Sequence, residues 1–224
     1  MNAQLETHTV EELFKRNDAF IESYRLSSLM HLIRSPFMAK RKARQTLLDL
    51  IQVFSNYFQK VVMLRSVFTE NIKFHLIALD HLKEEFCHNE KLMADRHYQA
   101  PAWDPILEAT SSWFAWKMLT LNDEERTVLV HLVLEASANI FFQEAHQVMH
   151  HYGETDYFKI HSDVDEQHEQ MGKALLYDLT PRQYARLLAV QSQGWSILMT
   201  ACDRIAELTS VNCSEKNPVL HALT

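Results

Sequence analysis

At 224 residues and 47% hydrophobic content, including 12 Phe and 9 Met, the chain can bury one large core or two small ones. Its formal net charge of −7 disfavours a general nucleic-acid binder, because a local basic face would have to overcome the long-range field. Three widely spaced cysteines, Cys87, Cys202 and Cys213, argue against a secreted disulfide scaffold.

The amino-terminal residues carry no basic stretch followed by an apolar core, and no apolar run reaches membrane-spanning length. A cytoplasmic chain with no membrane and no nucleic-acid partner is expected. The one dense basic patch, Lys40-Arg-Lys-Ala-Arg44, reads as a solvated helix face or a rim that steers substrate. Only 3 Gly and 5 Pro punctuate the sequence, which favours long helices over a sheet protein with many turns.

The first helix is expected at 10–34, opened by the capping-box pattern Thr9-Val-Glu-Glu12 and stopped by Ser35-Pro36. A second covers 38–68, with Leu47, Leu50, Ile51, Phe54, Phe58, Val61 and Val62 on its inner surface. A third covers 70–95 and puts His81, Glu84, Glu85 and His88 on one face, since their offsets of zero, three, four and seven match the helical repeat. After the break from Pro101 to Pro105, residues 106–119 form a shorter aromatic-rich helix.

Thr120-Leu-Asn-Asp-Glu-Glu125 starts a helix at 123–151, which Gly153 ends; another spans 157–178. Thr180 caps and Pro181 opens the last helix, through about 209. The expectation is a single all-α domain over 1–224, with its core at 10–210 and seven helices.

The run His161-Ser-Asp-Val-Asp165-Glu-Gln-His168 is the sharpest motif. On a helix the three side chains share one face, with Cβ atoms roughly 5–6 Å apart, a spacing suited to nitrogen and oxygen ligands of a first-row metal. His88 with Glu84 or Glu85 offers a second ligand face. Glu135, inside Val133-Leu-Glu-Ala-Ser137, is a carboxylate that would be costly to bury without a cation or hydrogen-bond partners. A dimetal centre would account for it, and mixed His and carboxylate donors suit iron or manganese better than thiolate-rich copper or structural zinc.

Each signal has an ordinary alternative: surface hydrogen bonds for the 161–168 run, hydrated ion pairs for the 81–88 face, and a buried histidine partner for Glu135. His131, one turn before Glu135, could orient it. His146 and His150 read as packing or hydration. Trp103, Trp113, Trp116 and Trp195 read as bundle filling, Phe141 and Phe142 as core packing or a pocket wall, and Arg182 and Arg186 as exposed.

In combination, the residues 157–168, Glu135 and Glu85-Phe-Cys-His88 resemble the heme-oxygenase-like diiron oxidases, over about residues 10–210. That resemblance implies a heme-oxygenase-like helical bundle. It also implies a metal site built from Glu84 or Glu85, His88, Glu135, His161, Asp165 and His168, holding two Fe ions, or Mn, or a mixed Fe/Mn pair. Some relatives carry a glutamate seven residues before the early histidine, where this chain has His81.

The implied activity is O2-dependent oxidation of a small organic substrate, such as an amino acid, amine or carboxylate. An electron donor would be its partner, Glu135 and Asp165 its central carboxylates, and homodimerisation is admitted. Two alternatives stand beside it: a cofactorless thiaminase-like or pyrroloquinoline-quinone-biosynthesis-like enzyme, and a metal-stabilised interaction or regulatory protein.

Overall fold

The computed structural model describes residues 8–152, 157–162 and 171–212, with side chains at 160–162 and 212 left aside. Among these residues nine helices are delimited where seven were expected, because two of the expected helices break in the middle.

The first break divides α1 (Val10–Arg25) from α2 (Ser28–Arg34). Thr9 caps α1 by accepting from the Glu12 N–H, and acidic Glu11 and Glu12 occupy the favourable first turn. Two residues beyond Arg25, the Ser27 hydroxyl accepts from the Met30 N–H and starts α2. A short 3-10 turn, Pro36–Ala39, leads into α3 (Arg41–Phe68). Arg44 of the basic patch is buried and donates to the carbonyls of Met38 and Ala39, so part of that patch holds a turn together instead of meeting solvent.

The second break separates α4 (Ile72–Glu85) from α5 (His88–Asp95). Cys87 lies in the left-handed region at φ 66°, which costs a non-glycine residue steric energy. Gln59 of α3 bridges the break: its amide donates to the Glu85 carbonyl at 2.6 Å and accepts from the Cys87 N–H at 2.8 Å. These bonds satisfy backbone groups that the helix interruption would otherwise strand.

Asp104 accepts from the N–H groups of Ile106 and Leu107 and caps α6 (Pro105–Thr120), with Pro105 at the first position, where no intrahelical N–H is needed. Helix α7 opens as Asp123–Thr127 on an Asn122/Glu125 capping box, widens into a π-helical segment at Val128–Glu135, and continues as Ala136–His151. A short α8 (Tyr157–Ser162) follows, then a 3-10 turn at Ala174–Leu176, then α9 (Pro181–Asn212).

The core runs between α3, α6, α7 and α9, where Leu47, Phe114, Met118, Leu129 and Trp195 are essentially inaccessible. Gly194 lets α9 lie against the π-helical segment, since a Cβ there would sit 2.5 Å from Leu129 Cδ2. The tryptophans do not all fill the bundle: Trp195 is 1% exposed, whereas Trp103 and Trp116 are 76% and 61% exposed. Trp116 lies on a helix whose apolar residues are spread around its circumference, so periodicity did not assign it an outer face.

Candidate functional site

Helices α3, α4 and α7 supply the buried charged groups of the site. Helix α4 turns His81 and Glu85, one turn apart, into the core, both with at most 2% exposure. Glu84, next to Glu85, falls on the exposed side of the same helix. Across the Cys87 break, His88 Nδ1 lies 3.0 Å from Glu85 Oε2, so the kink folds the early Glu/His pair onto itself.

The π-helical segment supplies His131 and Glu135. Widened turns of this kind shift side chains out of α-helical register and recur at functional sites. Glu135 is 2% exposed, and its Oε1 lies 3.0 Å from His81 Nε2. Behind His81, the Arg65 guanidinium of α3 places Nη1 3.3 Å from His81 Nδ1. Burial pulls the Arg65 guanidinium down to about 10 while the charge of Glu135 pushes it up, so it is a cation at neutral pH.

The His131 ring centroid lies 5.4 Å from that of His81. Gly172 presses directly on His131: a Cβ there would sit 2.3 Å from His131 Cβ and Cγ. The expectation that His131 orients Glu135 across one turn is therefore joined by a different neighbour, His81, on the same side of the cluster.

Glu85 and Glu135 both line a cavity of about 100 Å³ whose other walls are mainly apolar. That space exceeds the roughly 30 Å³ of a single liquid water. Phe141 and Phe142, each 7% exposed, line it as well, so they serve both as core and as pocket wall. Tyr24, Ser55, Ser137 and Cys202 also bring polar atoms to the lining. Burial pushes the Cys202 thiol up to about 12 against a hydrogen bond with Tyr24, and burial with the nearby Cys202 raises the Tyr24 phenol well above its ordinary value. Both are neutral at pH 7, and a thiol in that state is a poor nucleophile.

The expected metal pair requires correction. Among the described residues no group of three or more His, Cys, Asp or Glu side chains converges to hold a metal ion, so two Fe ions, Mn or a mixed Fe/Mn pair are not supported. The physical reason lies in the partners found here. Glu135 was expected to need a cation or hydrogen-bond partners in order to face inward, with a dimetal centre as one source; His81 lies 3.0 Å from it and the Arg65 cation acts on it as well. Glu84 is on the outer face, and Glu85 is engaged with His88. Of the late motif, Asp165 and His168 lie outside the described residues, as does the side chain of His161.

Away from the cavity, the His146 and His150 rings of α7 lie tilted with centroids 5.4 Å apart, and Arg186 is exposed and pairs with Glu125. Sequence reasoning missed Arg65 and Gln59. Arg65 did leave a trace, a lone charge within Val61-Val-Met-Leu-Arg-Ser-Val67, the kind of interruption that singled out Glu135. No helix among the described residues is long and apolar enough to cross a membrane.

No protein-family profile matches the sequence. A solved structure, a domain of unknown function with a heme oxygenase-like fold from Shewanella denitrificans OS217, superimposes with a TM-score of 0.67 at 15% identity, covering 91% of this chain and 94% of that one. At that identity the likeness carries the fold and no residue roles. The uncharacterized protein RP592 of Rickettsia prowazekii (strain Madrid E) is 34% identical over 204 residues, 91% of this chain and 98% of that protein. The all-α chain therefore has a heme oxygenase-like fold and belongs to the family of RP592.

Proposed function

We propose that the chain is an enzyme that takes a small amine with an apolar body into the cavity and moves a proton on it, with Glu135 as the acceptor. One observation carries this: two carboxylates, each 2% exposed, sit on the walls of the same largely apolar cavity. Carboxylates on the wall can accept from an ammonium group, and the apolar walls match an aromatic or aliphatic body.

The step suited to a carboxylate in this setting is general base catalysis, worth about 10²–10⁴ in rate. The Glu135 carboxylate accepts a proton from a carbon acidified by a neighbouring carbonyl, the bonding pair stays on the substrate, and reprotonation at that atom or another completes the turnover. No oxidant is consumed. His88, 14% exposed, lies 3.0 Å from Glu85 and can exchange protons with solvent. The neutral thiol of Cys202 favours this acid–base route over a cysteine nucleophile.

Calorimetric titration of benzylamine against benzyl alcohol tests the binding half, and deuterium uptake from D2O into α-aminoacetophenone tests the chemistry. The amine is expected to bind more tightly than the alcohol, and Glu135→Gln to lower deuterium uptake about 100-fold or more. Equal binding of the two probes, exchange unaffected by Glu135→Gln, or exchange abolished by exhaustive chelation would each overturn the proposal.

A further inference from the structure

The cavity lined by Glu135 also holds a phenol whose hydrogen-bonding capacity is poorly used. Tyr24 of α1 is 2% exposed and shares that lining. Its hydroxyl pairs with the thiol of another lining residue, Cys202, and sulfur is a weak partner for an O–H donor. A carbonyl oxygen entering the cavity accepts the same proton more strongly, and an enolate oxygen more strongly still. Exchanging the thiol for such an oxygen gains hydrogen-bond energy as a ligand enters.

Two other hydroxyls of the lining are already committed as donors: Ser137 to the Leu134 carbonyl at 2.8 Å, and Tyr157 to Ser55 Oγ at 3.3 Å. Tyr24 is held by its ring instead. Trp195 packs on it with centroids 5.9 Å apart, is stacked against Phe20 at 5.8 Å, and donates its indole N–H to Asn17 Oδ1 at 3.0 Å. Asn17 and Tyr24 are seven residues apart and so lie on one face of α1. The ring is thereby anchored in the bundle while its oxygen stays with a residue of the cavity wall. Burial, with the nearby Cys202, raises the phenol well above its ordinary value, so it remains a protonated donor at neutral pH.

We propose that Tyr24 is a catalytic hydrogen-bond donor to the carbonyl oxygen of the substrate. As the C–H bond breaks, its electron pair moves toward the carbonyl and the oxygen takes on the negative charge of an enolate. The Tyr24 O–H bond stays intact, and its hydrogen bond strengthens as that charge grows. Return of a proton to carbon restores the carbonyl, and the phenol goes back to Cys202 when the product leaves. The substrate is thus a small amine that carries a carbonyl beside the carbon losing its proton. The kinetic consequence rests on Glu135 being the proton acceptor; the hydrogen bond to the carbonyl does not.

Infrared difference spectra of the full chain bound to α-aminoacetophenone with a 13C-labelled carbonyl read this hydrogen bond. The carbonyl band is expected at lower frequency in the unaltered chain than in Tyr24→Phe, which keeps the ring against Trp195 and removes only the hydroxyl. Ser55→Ala is expected to leave the band in place, and deuterium uptake to fall about 100-fold or more in Tyr24→Phe. The proposal would be overturned by an unchanged band or unchanged uptake in folded Tyr24→Phe, or by a shift that disappears in Ser55→Ala instead. It would equally be overturned by a carbonyl band in the unaltered chain that matches the probe in cyclohexane, or by failure of this ketone to bind where benzylamine does. The cyclohexane and Ser55→Ala comparisons decide the matter if Tyr24→Phe does not fold. Absence of deuterium uptake alongside a Tyr24-dependent band shift would count against the assignment of Glu135 alone.

Discussion

Two polar clusters cross the core of this bundle, and they are built differently. Between α1 and α9, Asn17 Oδ1 accepts from Trp195 Nε1 at 3.0 Å and from Gln191 Nε2 at 3.1 Å, and Gln191 also donates to the Leu13 carbonyl. Every member is neutral. Between α3, α4 and α7, Arg65, His81 and Glu135 form a cluster of similar depth that contains full charges. Only the charged cluster borders the cavity beside Glu85.

Helices can be tied together by neutral amides and an indole at modest desolvation cost, whereas buried charges impose a penalty of several kcal/mol per ion that a close partner only partly repays. A chain that uses the neutral solution in one place gains no stability by choosing the charged one elsewhere. That is a physical reason to associate the charged cluster with chemistry, since perturbed buried ionisable groups concentrate at functional sites.

Removing the cation should separate the clusters most strongly. Arg65→Met is expected to destabilise the fold by about 3–5 kcal/mol in urea denaturation, because Glu135 loses the attraction of a buried cation. Adding Glu135→Gln to the same chain should recover part of that loss. If the double variant is as unstable as the sum of the two single ones, Arg65 and Glu135 are not coupled, and the contrast between the clusters fails.

The neutral cluster should cost less to break. Asn17→Ala removes the acceptor shared by Trp195 and Gln191, and an expected loss of about 1–3 kcal/mol should appear as a lower urea midpoint. A larger loss than that of Arg65→Met would reverse the ranking.

A pair near the surface should matter least and should carry a pH signature. Burial pushes the Asp104 carboxyl up, but hydrogen bonds from Arg204 and from the Leu107 and Ile106 N–H groups outweigh it and hold it below its ordinary value. A carboxyl lowered in this way stabilises the fold fully above its unfolded value of about 3.9, and that contribution disappears as pH falls through the folded value. Asp104→Asn is expected to cost about 1 kcal/mol at pH 7 and to lose less stability than the unaltered chain between pH 5 and pH 3, as read from urea midpoints. Parallel midpoint-against-pH curves for the two proteins would remove Asp104 from this role.

Much of the helix plan was legible because local chemistry writes it. Thr9, and Asn122 with Glu125 inside the 120–125 start signal, act where capping rules put them, and the starts of α1 and α7 follow. The breaks were not legible in the same way. The Ser27 cap sits inside an apolar repeat that continues into α2, and the Cys87 break uses a left-handed residue that is not glycine. It is held from another helix by Gln59, a contact with no local signature.

The candidate site divides along the same line. Glu135 stood out as a charge in an apolar run, and the alternative that it meets a buried histidine matches the contact found, with His81. The choice between Glu84 and Glu85 depended on how α4 is rotated against α3, which the 81–88 spacing alone leaves undecided. The dimetal expectation went further than spacing permits. Residues that share a helical face can converge on an ion, but they can equally pair with each other, as Glu85 and His88 do across the kink.

Composition, capping and the helical repeat determined an all-α chain with inward-facing Glu and His residues, because those properties act within a few residues along the chain. Which partner each buried charge meets was decided only in three dimensions. Arg65 reaches His81, and His81 reaches Glu135, across three separate helices. The energy of a buried charge depends on what stands within a few ångströms of it in space, and sequence distance does not encode that.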